Sequence, residues 1–265
     1  MTALRLGAVS YLNTKPLVYG LDDIPEQFDV RFDVPAKCAE LLHKDDVDLG
    51  LIPAIEYLCG AEDYWIVPGV SIASEGHIAS VAVFSKVPID QVTTIALDLS
   101  SRTSVALTRI LCAKRWGIAP AFTPAPPDLD GMLAGADAAL VIGDPALAID
   151  ADARGLSKVD LGAEWQALTG LPFVYAMWTG RAGVASVAHC RALQDARDLG
   201  VANLQTIASD AGGGDAAREA RTLVYLRDNL KYALGEREAA GLRRFHELGV
   251  ELGLAAALKP LQFYR

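Results

Sequence analysis

The chain is expected to be an α/β protein built as two lobes around a ligand cleft, one lobe interrupted by the other. Three features of the sequence carry that expectation. The first is the stretch from Thr93 to Leu111. Ile95-Ala96-Leu97 is a short apolar run of buried-strand type. Asp98-Leu99-Ser100-Ser101-Arg102-Thr103-Ser104 then packs four hydroxyls and one guanidinium into seven residues. Apolar residues at helical spacing follow from Val105. The second feature is a matching unit at the start, where Arg5–Val9 leads into Ser10-Tyr11-Leu12-Asn13-Thr14-Lys15-Pro16-Leu17. The third is the alternation of strand-like and helix-like segments, which implies a largely parallel sheet with helices on its faces.

Each hydroxyl-rich turn suits an anion. The first N–H groups of a helix have no internal partner, and that end carries partial positive charge. A carboxylate or phosphate is stabilised there. Ser100, Ser101, Thr103 and Ser104 are N-cap residue types that can also donate to a ligand oxygen. Ser10, Asn13 and Thr14 can act likewise in the first turn, where Pro16 loses nothing by lacking an N–H.

Between the two units, Asp29–Val34 alternates as a strand, Pro35–His43 is a short helix, and Val47–Ile52 is a strand ending at Pro53. Tyr64–Val67 is a further strand, and Ile78–Ser85 reads as an apolar one. Ser74-Glu75-Gly76-His77 forms a turn between them. Lys86–Asp90 looks like the crossing into the second lobe. In that lobe Pro124-Ala125-Pro126-Pro127 reads as a loop, because proline disrupts regular elements. Leu129–Gly135 is a helix and Ala138–Ile142 a buried strand. Gly143-Asp144 follows at the strand's C-terminal end, where ligands of open α/β sheets gather. Pro172–Trp178 is an apolar strand that crosses back. The remainder reads as helices over 184–199, 201–209, 215–234 and 236–252. The expected division is 1–86 with 178–265 in lobe one and 87–177 in lobe two, hinged near Lys86–Pro88 and Met177–Thr179.

The 265 residues are 52% hydrophobic and carry a formal net charge of −9. An acidic chain with pI near 4.9 does not have the basic face that nucleic acid requires. No apolar run reaches membrane-spanning length, and no secretory leader is visible, so a cytoplasmic protein that binds no membrane is expected. Cys38, Cys59, Cys112 and Cys190 form no CxxC pair and read as free thiols. His43, His77, His189 and His246 have no zinc-site spacing, so no metal is expected. Ser-His-Asp, GxGxxG and P-loop patterns are absent, so no organic cofactor is expected either. The residues themselves thus point to an anionic ligand held between lobes, without choosing between binding and catalysis.

Four segments appear in order: Val9–Leu17, Asp48–Tyr57, Ala96–Ser104 and Val141–Leu147. Together they resemble the chorismate dehydratases of the futalosine route to menaquinone. The resemblance implies a periplasmic-binding-protein-like type II fold with a cleft between its lobes. It also implies conversion of chorismate, a dicarboxylate, to 3-[(1-carboxyvinyl)oxy]benzoate and water. A sister enzyme, 1,4-dihydroxy-6-naphthoate synthase, opens with a Ser-Pro-Cys-Pro-Asn-Asp type of turn; this chain has Ser10-Tyr11-Leu12-Asn13 instead. A small-carboxylate solute-binding protein is the third reading. Within the resemblance Asn13 is expected to be catalytic. Ser10, Tyr11, Thr14, Ser74, Gly76, Ser100, Ser101, Thr103, Ser104, Gly143 and Asp144 are expected to bind substrate. Glu56 is the nearest candidate base, with pairing to Lys15 or a backbone N–H as its structural alternative; Arg102 and His77 are left open.

Overall fold

The computed structural model describes residues 3–60 and 62–265. In chain order its elements are β1 (Leu4–Val9), a 3-10 turn (Leu12–Leu17), β2 (Phe28–Asp33), α1 (Pro35–His43), β3 (Leu49–Pro53), α2 (Ala54–Cys59) and β4 (Tyr64–Ser74). Next come β5 (Val81–Ser85), β6 (Thr94–Asp98), α3 (Arg102–Leu111), β7 (Ala121–Ala125), α4 (Leu129–Gly135), β8 (Ala138–Ile142), α5 (Gly143–Ala148), β9 (Ser157–Asp160) and α6 (Leu161–Thr169). The chain ends with β10 (Phe173–Arg181), α7 (Val187–Ala202), α8 (Leu204–Gly212), α9 (Ala216–Val224) and α10 (Glu236–Glu251).

The strands form two five-stranded sheets, ordered β2-β1-β3-β10-β4 and β7-β6-β8-β5-β9. The two sheets share one plan. In each, three strands run parallel, β2-β1-β3 in one and β7-β6-β8 in the other. A strand arriving from the far side then pairs antiparallel, β10 beside β3 and β5 beside β8. Every residue of the runs Leu49–Pro53, Val81–Ser85 and Ala138–Ile142 is buried, as in strands covered on both faces.

The chain therefore changes sheets between Ser74 and Val81, and again between Asp160 and Phe173. Both points lie earlier than Lys86–Pro88 and Met177–Thr179, so β5 belongs to the second sheet and all of β10 to the first. The apolar run from Ile78 conceals the change. Ile78–Ser80 is a turn, with Ala79 at φ 64, and only Val81 onward pairs as strand. One side chain ties both crossings together. Asp160 caps α6 by accepting from Gly162 and Ala163, and also accepts from the backbone N–H groups of Ile78 and Ala79 at 3.1 and 2.7 Å.

Three other expectations are corrected. Pro124 lies inside β7, which tolerates it because β7 is an edge strand. The segment 12–17 is a 3-10 turn with no side-chain cap. The expected helix over 215–234 stops at α9 and one wide turn to Asn229. Beyond it Lys231 pairs with Ala73 on the edge of the first sheet. Leu230 and Leu234 are buried there, outside the helix whose spacing they continue.

Candidate functional site

A cavity lies between the two sheets, at the C-terminal ends of their parallel strands. Lobe one contributes Val9 from the end of β1, Pro53 from the end of β3, Ile72 from β4, and Tyr175 and Ala176 from β10. Asn13 and Tyr11 reach it from the 3-10 turn and the residue before it. The second sheet and its approach contribute Ile78, Ser80, Ile142, Gly143, Ser101 and Ser104. The two expected polar turns thus meet across one space, as strand ends of α/β sheets do at ligand sites.

The α3 turn is built by its own hydroxyls. Ser101 is the N-cap, and its Oγ accepts the Ser104 backbone N–H at 3.3 Å. The two hydroxyls lie 2.9 Å apart, both buried and both on the cavity wall. Thr103 and Arg102 point elsewhere. Thr103 Oγ1 accepts the Ile55 N–H at 3.2 Å, which fastens α3 to α2. Arg102 reaches Glu56 at 3.0 Å and Glu40 at 3.9 Å. Glu56 is 7% exposed, lies 3.7 Å from His43 and does not line the cavity. Its partner is thus Arg102 and not Lys15. Ser100 Oγ is 3.5 Å from the Tyr11 phenol, and its N–H donates to Asp98.

On the opposite wall, Asn13 Oδ1 accepts the Thr14 hydroxyl at 3.4 Å, while Thr14 itself is buried away from the cavity. Asn13 is close enough to Tyr225 that its amide opposes, weakly, the rise that burial imposes on that phenol's pKa. The Tyr225 hydroxyl is committed to Ser80 Oγ at 2.8 Å. The Tyr225–Ser80 hydrogen bond thus joins two distant parts of the sequence close to Asn13. Gly143 stands at φ 67, with the Tyr11 ring where a Cβ would be: the nearest ring carbon would lie 2.9 Å away. The phenols of Tyr11, Tyr175 and Tyr225 are all pushed above the usual tyrosine value, chiefly by burial. All three are therefore neutral near neutrality.

Ser74, Gly76, Ser10 and Asp144 do not reach this cavity. Ser74 Oγ bonds the Gly76 carbonyl and the Tyr175 hydroxyl, so it supports the wall from behind. Gly76 makes the tight turn at φ 96 between the sheets. Ser10 and Asp144 line a neighbouring groove, and Asp144 accepts from Leu12 N–H. Burial raises the Asp144 carboxyl pKa, against the hydrogen bond from Leu12 and the charges of Arg218 and Lys15. His77 is 77% exposed and lies outside the cavity. Ser80, Tyr175 and Tyr225 were not singled out in the sequence. Among the described residues no cluster of three or more His, Cys, Asp and Glu side chains is placed to hold a metal ion. No helix there is long and apolar enough to cross a membrane.

Two α/β lobes with a cavity between them define the periplasmic-binding-protein-like fold, and solved structures share it. A protein from Archaeoglobus fulgidus superposes with TM-score 0.72 at 17% identity, over 95% of this chain and 98% of its own. The periplasmic aliphatic sulphonate binding protein from Escherichia coli gives 0.67 at 18% identity, over 100% of this chain and 94% of its own. Sequence narrows the class further. Residues 4–251 match the model of the menaquinone biosynthesis family, and the chain belongs to that family. A chorismate dehydratase from Thermus thermophilus is 30% identical over 258 residues, 91% of this chain and 93% of that protein.

Proposed function

We propose that the protein is a chorismate dehydratase, a hydro-lyase of menaquinone biosynthesis by the futalosine route, acting in the cytoplasm. The observation that carries the mechanism is the character of the cavity wall. Among the described lining residues there is no Asp, Glu, His, Lys or Cys, and the tyrosines are neutral. A cavity of that kind suits a substrate that brings its own base.

Chorismate carries a ring carboxylate, a second carboxylate on the enolpyruvyl ether and a hydroxyl on the neighbouring ring carbon. The proton on the ether-bearing carbon is acidified through the conjugated ring carboxylate. In the proposed reaction the enolpyruvyl carboxylate takes that proton. The C–H electron pair forms the new ring double bond, and the neighbouring C–O bond breaks. The enolpyruvyl carboxyl group hands that same proton to the departing hydroxyl, which leaves as water, and the ring becomes aromatic.

The protein's part is orientation and charge stabilisation. Ser101, Ser104 and the N-terminus of α3 receive the ring carboxylate, where developing negative charge is favoured. Val9, Ile72, Ile78 and Ile142 sandwich the ring in an apolar slot. Asn13 directs its amide at the enolpyruvyl carboxylate or the departing hydroxyl, and Tyr225 with Ser80 fixes that amide. Tyr11, packed on Gly143, closes the cavity against water. Thr14, Thr103, Ser74 and Gly76 act through these groups; Ser10 and Asp144 belong to the approach.

Incubation with chorismate, followed by ultraviolet absorbance and mass spectrometry, tests the reading. The expected result is loss of one water and appearance of an aromatic product. No turnover by the folded protein would overturn it. Asn13→Ala is expected to lower turnover roughly 10²–10³-fold, the scale of losing one preorganised donor. Near-normal turnover with a lowered melting temperature would reduce Asn13 to a structural residue. A Glu56→Gln variant as inactive as Asn13→Ala would move the base to Glu56.

A further inference from the structure

Beside the uncharged cavity lies a second, larger and open groove with a basic lining. Four cations line it: Lys15 from the 3-10 turn, Lys158 from β9, and Arg218 and Arg221 from α9. The only carboxylate on its wall, among the described residues, is Asp144. This is a local reversal of sign in a chain with 33 acidic and 24 basic residues. Lys158 is already engaged, donating to the Ala79 carbonyl at 3.0 Å. Arg218 and Arg221 form no ion pair among the described residues, although most other arginines do.

The groove and the cavity share a wall. Tyr225 lines the groove, and its hydroxyl bonds Ser80, which lines the cavity. Lys15 and Asn13 stand two residues apart in one turn, the first facing the groove and the second the cavity. Unpaired guanidinium groups thus lie just outside a cavity that contains no cation of its own.

We propose that this groove is the capture site and mouth of the cavity for aromatic or cyclic dicarboxylate dianions. Arg218, Arg221 and Lys15 draw the dianion in, and Tyr225 is the partition it passes. The inference rests on the reading of the cavity as a dicarboxylate site. A cleft lined by one sign of charge raises the encounter rate of the opposite sign, with steep dependence on ionic strength. The arrangement also resolves the charge problem of the protein. A net anion that consumes a dianion collects it through a local field, since more distant surface charges are screened.

The test uses the full chain and two probes that do not react, isophthalate as dianion and benzoate as monoanion. Association is followed by stopped-flow fluorescence from low to physiological salt, and kcat/KM for chorismate is measured alongside. The wild-type association rate is expected to fall with salt more steeply for isophthalate than for benzoate. The Arg218→Gln/Arg221→Gln double variant is expected to lose about tenfold in isophthalate association and in kcat/KM at low salt, with much of the salt dependence. Its kcat is expected to stay within about twofold, because the chemistry lies beyond the partition. Lys114→Gln, which removes one cation, paired with Glu251 elsewhere, gives the effect of net charge per unit removed, against two units in the double variant. An unchanged association rate and salt slope in the double variant, or an equal loss per unit removed in Lys114→Gln, would overturn the proposal. Salt-dependent capture of isophthalate without turnover of chorismate would support the mouth and refute the assigned reaction.

Discussion

Replacing Arg102 with Gln is expected to weaken the closed arrangement of the lobes by about 2 kcal/mol. Arg102 starts α3, on the second sheet, and its partners lie on α1 and α2, which flank the first. Its 3.0 Å contact with Glu56 is therefore a bond between lobes. Two further bonds run the same way, from Ala36 N–H to the Ser100 carbonyl and from Ile55 N–H to Thr103. The magnitude follows from unequal exposure: Glu56 is 7% exposed and Arg102 42%. An exposed pair contributes about 0.2–1 kcal/mol, whereas stripping the partner from a buried charge costs about 3–5 kcal/mol. Here one end is buried and the other half-solvated, with His43 at 3.7 Å as partial compensation, so an intermediate value applies. Most of it is the cost of leaving Glu56 uncompensated. The double variant Arg102→Gln/Glu56→Gln should therefore recover at least half of the loss. Urea unfolding of the wild type, both singles and the double gives the coupling energy, and small-angle scattering shows whether the loss appears as opening. A single-variant loss below about 0.5 kcal/mol, or strict additivity in the cycle, would refute the reasoning.

Three more outcomes are expected. Gly143→Ala puts a Cβ into the Tyr11 ring at a positive φ, and should raise KM for chorismate with about 1–2 kcal/mol lost in stability; an unchanged KM would detach Tyr11 from the site. Tyr225→Phe leaves Ser80 without its donor and Asn13 without its phenol oxygen. It should lower kcat about tenfold with little change in KM, and Ser80→Ala added to it should cost nothing more; a full second loss would separate the two groups. Burial holds the His246 imidazole down at about 4, against 6.5 when free. The unfolded chain binds that proton first. The contribution is thus complete above 6.5 and is lost as pH falls through 4, a change of about 3 kcal/mol. Urea midpoints across that window should flatten in His246→Phe, and an undiminished slope would assign the loss to other groups.

What the sequence disclosed depended on whether a signal was local. Pro35–His43, Leu129–Gly135 and Ala138–Ile142 are found as read, because proline at a helix start, a compact apolar period and an unbroken buried run each act within a few residues. Ser101 as a cap was legible for the same reason. The short edge strand β9, four half-exposed residues, offers no alternation to detect. Leu223, Leu226, Leu230 and Leu234 keep a helical period through a break, because the last two are buried by a strand edge instead. Thr103 and Arg102 stood among the binding hydroxyls in sequence, yet they turn to α2, a contact with no local signature. Ser80 and Tyr225, 145 residues apart, are joined only by the fold. The one available hint was a tyrosine amid the leucines of an otherwise amphipathic segment.

Asp160, which binds backbone N–H groups on both crossings, fixes where the second lobe begins and ends in space. Residues 82 apart in sequence meet at one carboxylate. A segment whose two ends adjoin is, in topological terms, a closed loop, pinned at its neck by Asp160 and along its side by Ser100, Arg102 and Thr103. The host sheet closes over the insertion, since β4 and β10 pair directly with each other on either side of it. The inserted lobe carries about half of the cavity wall, so the cavity exists only where insertion and host meet.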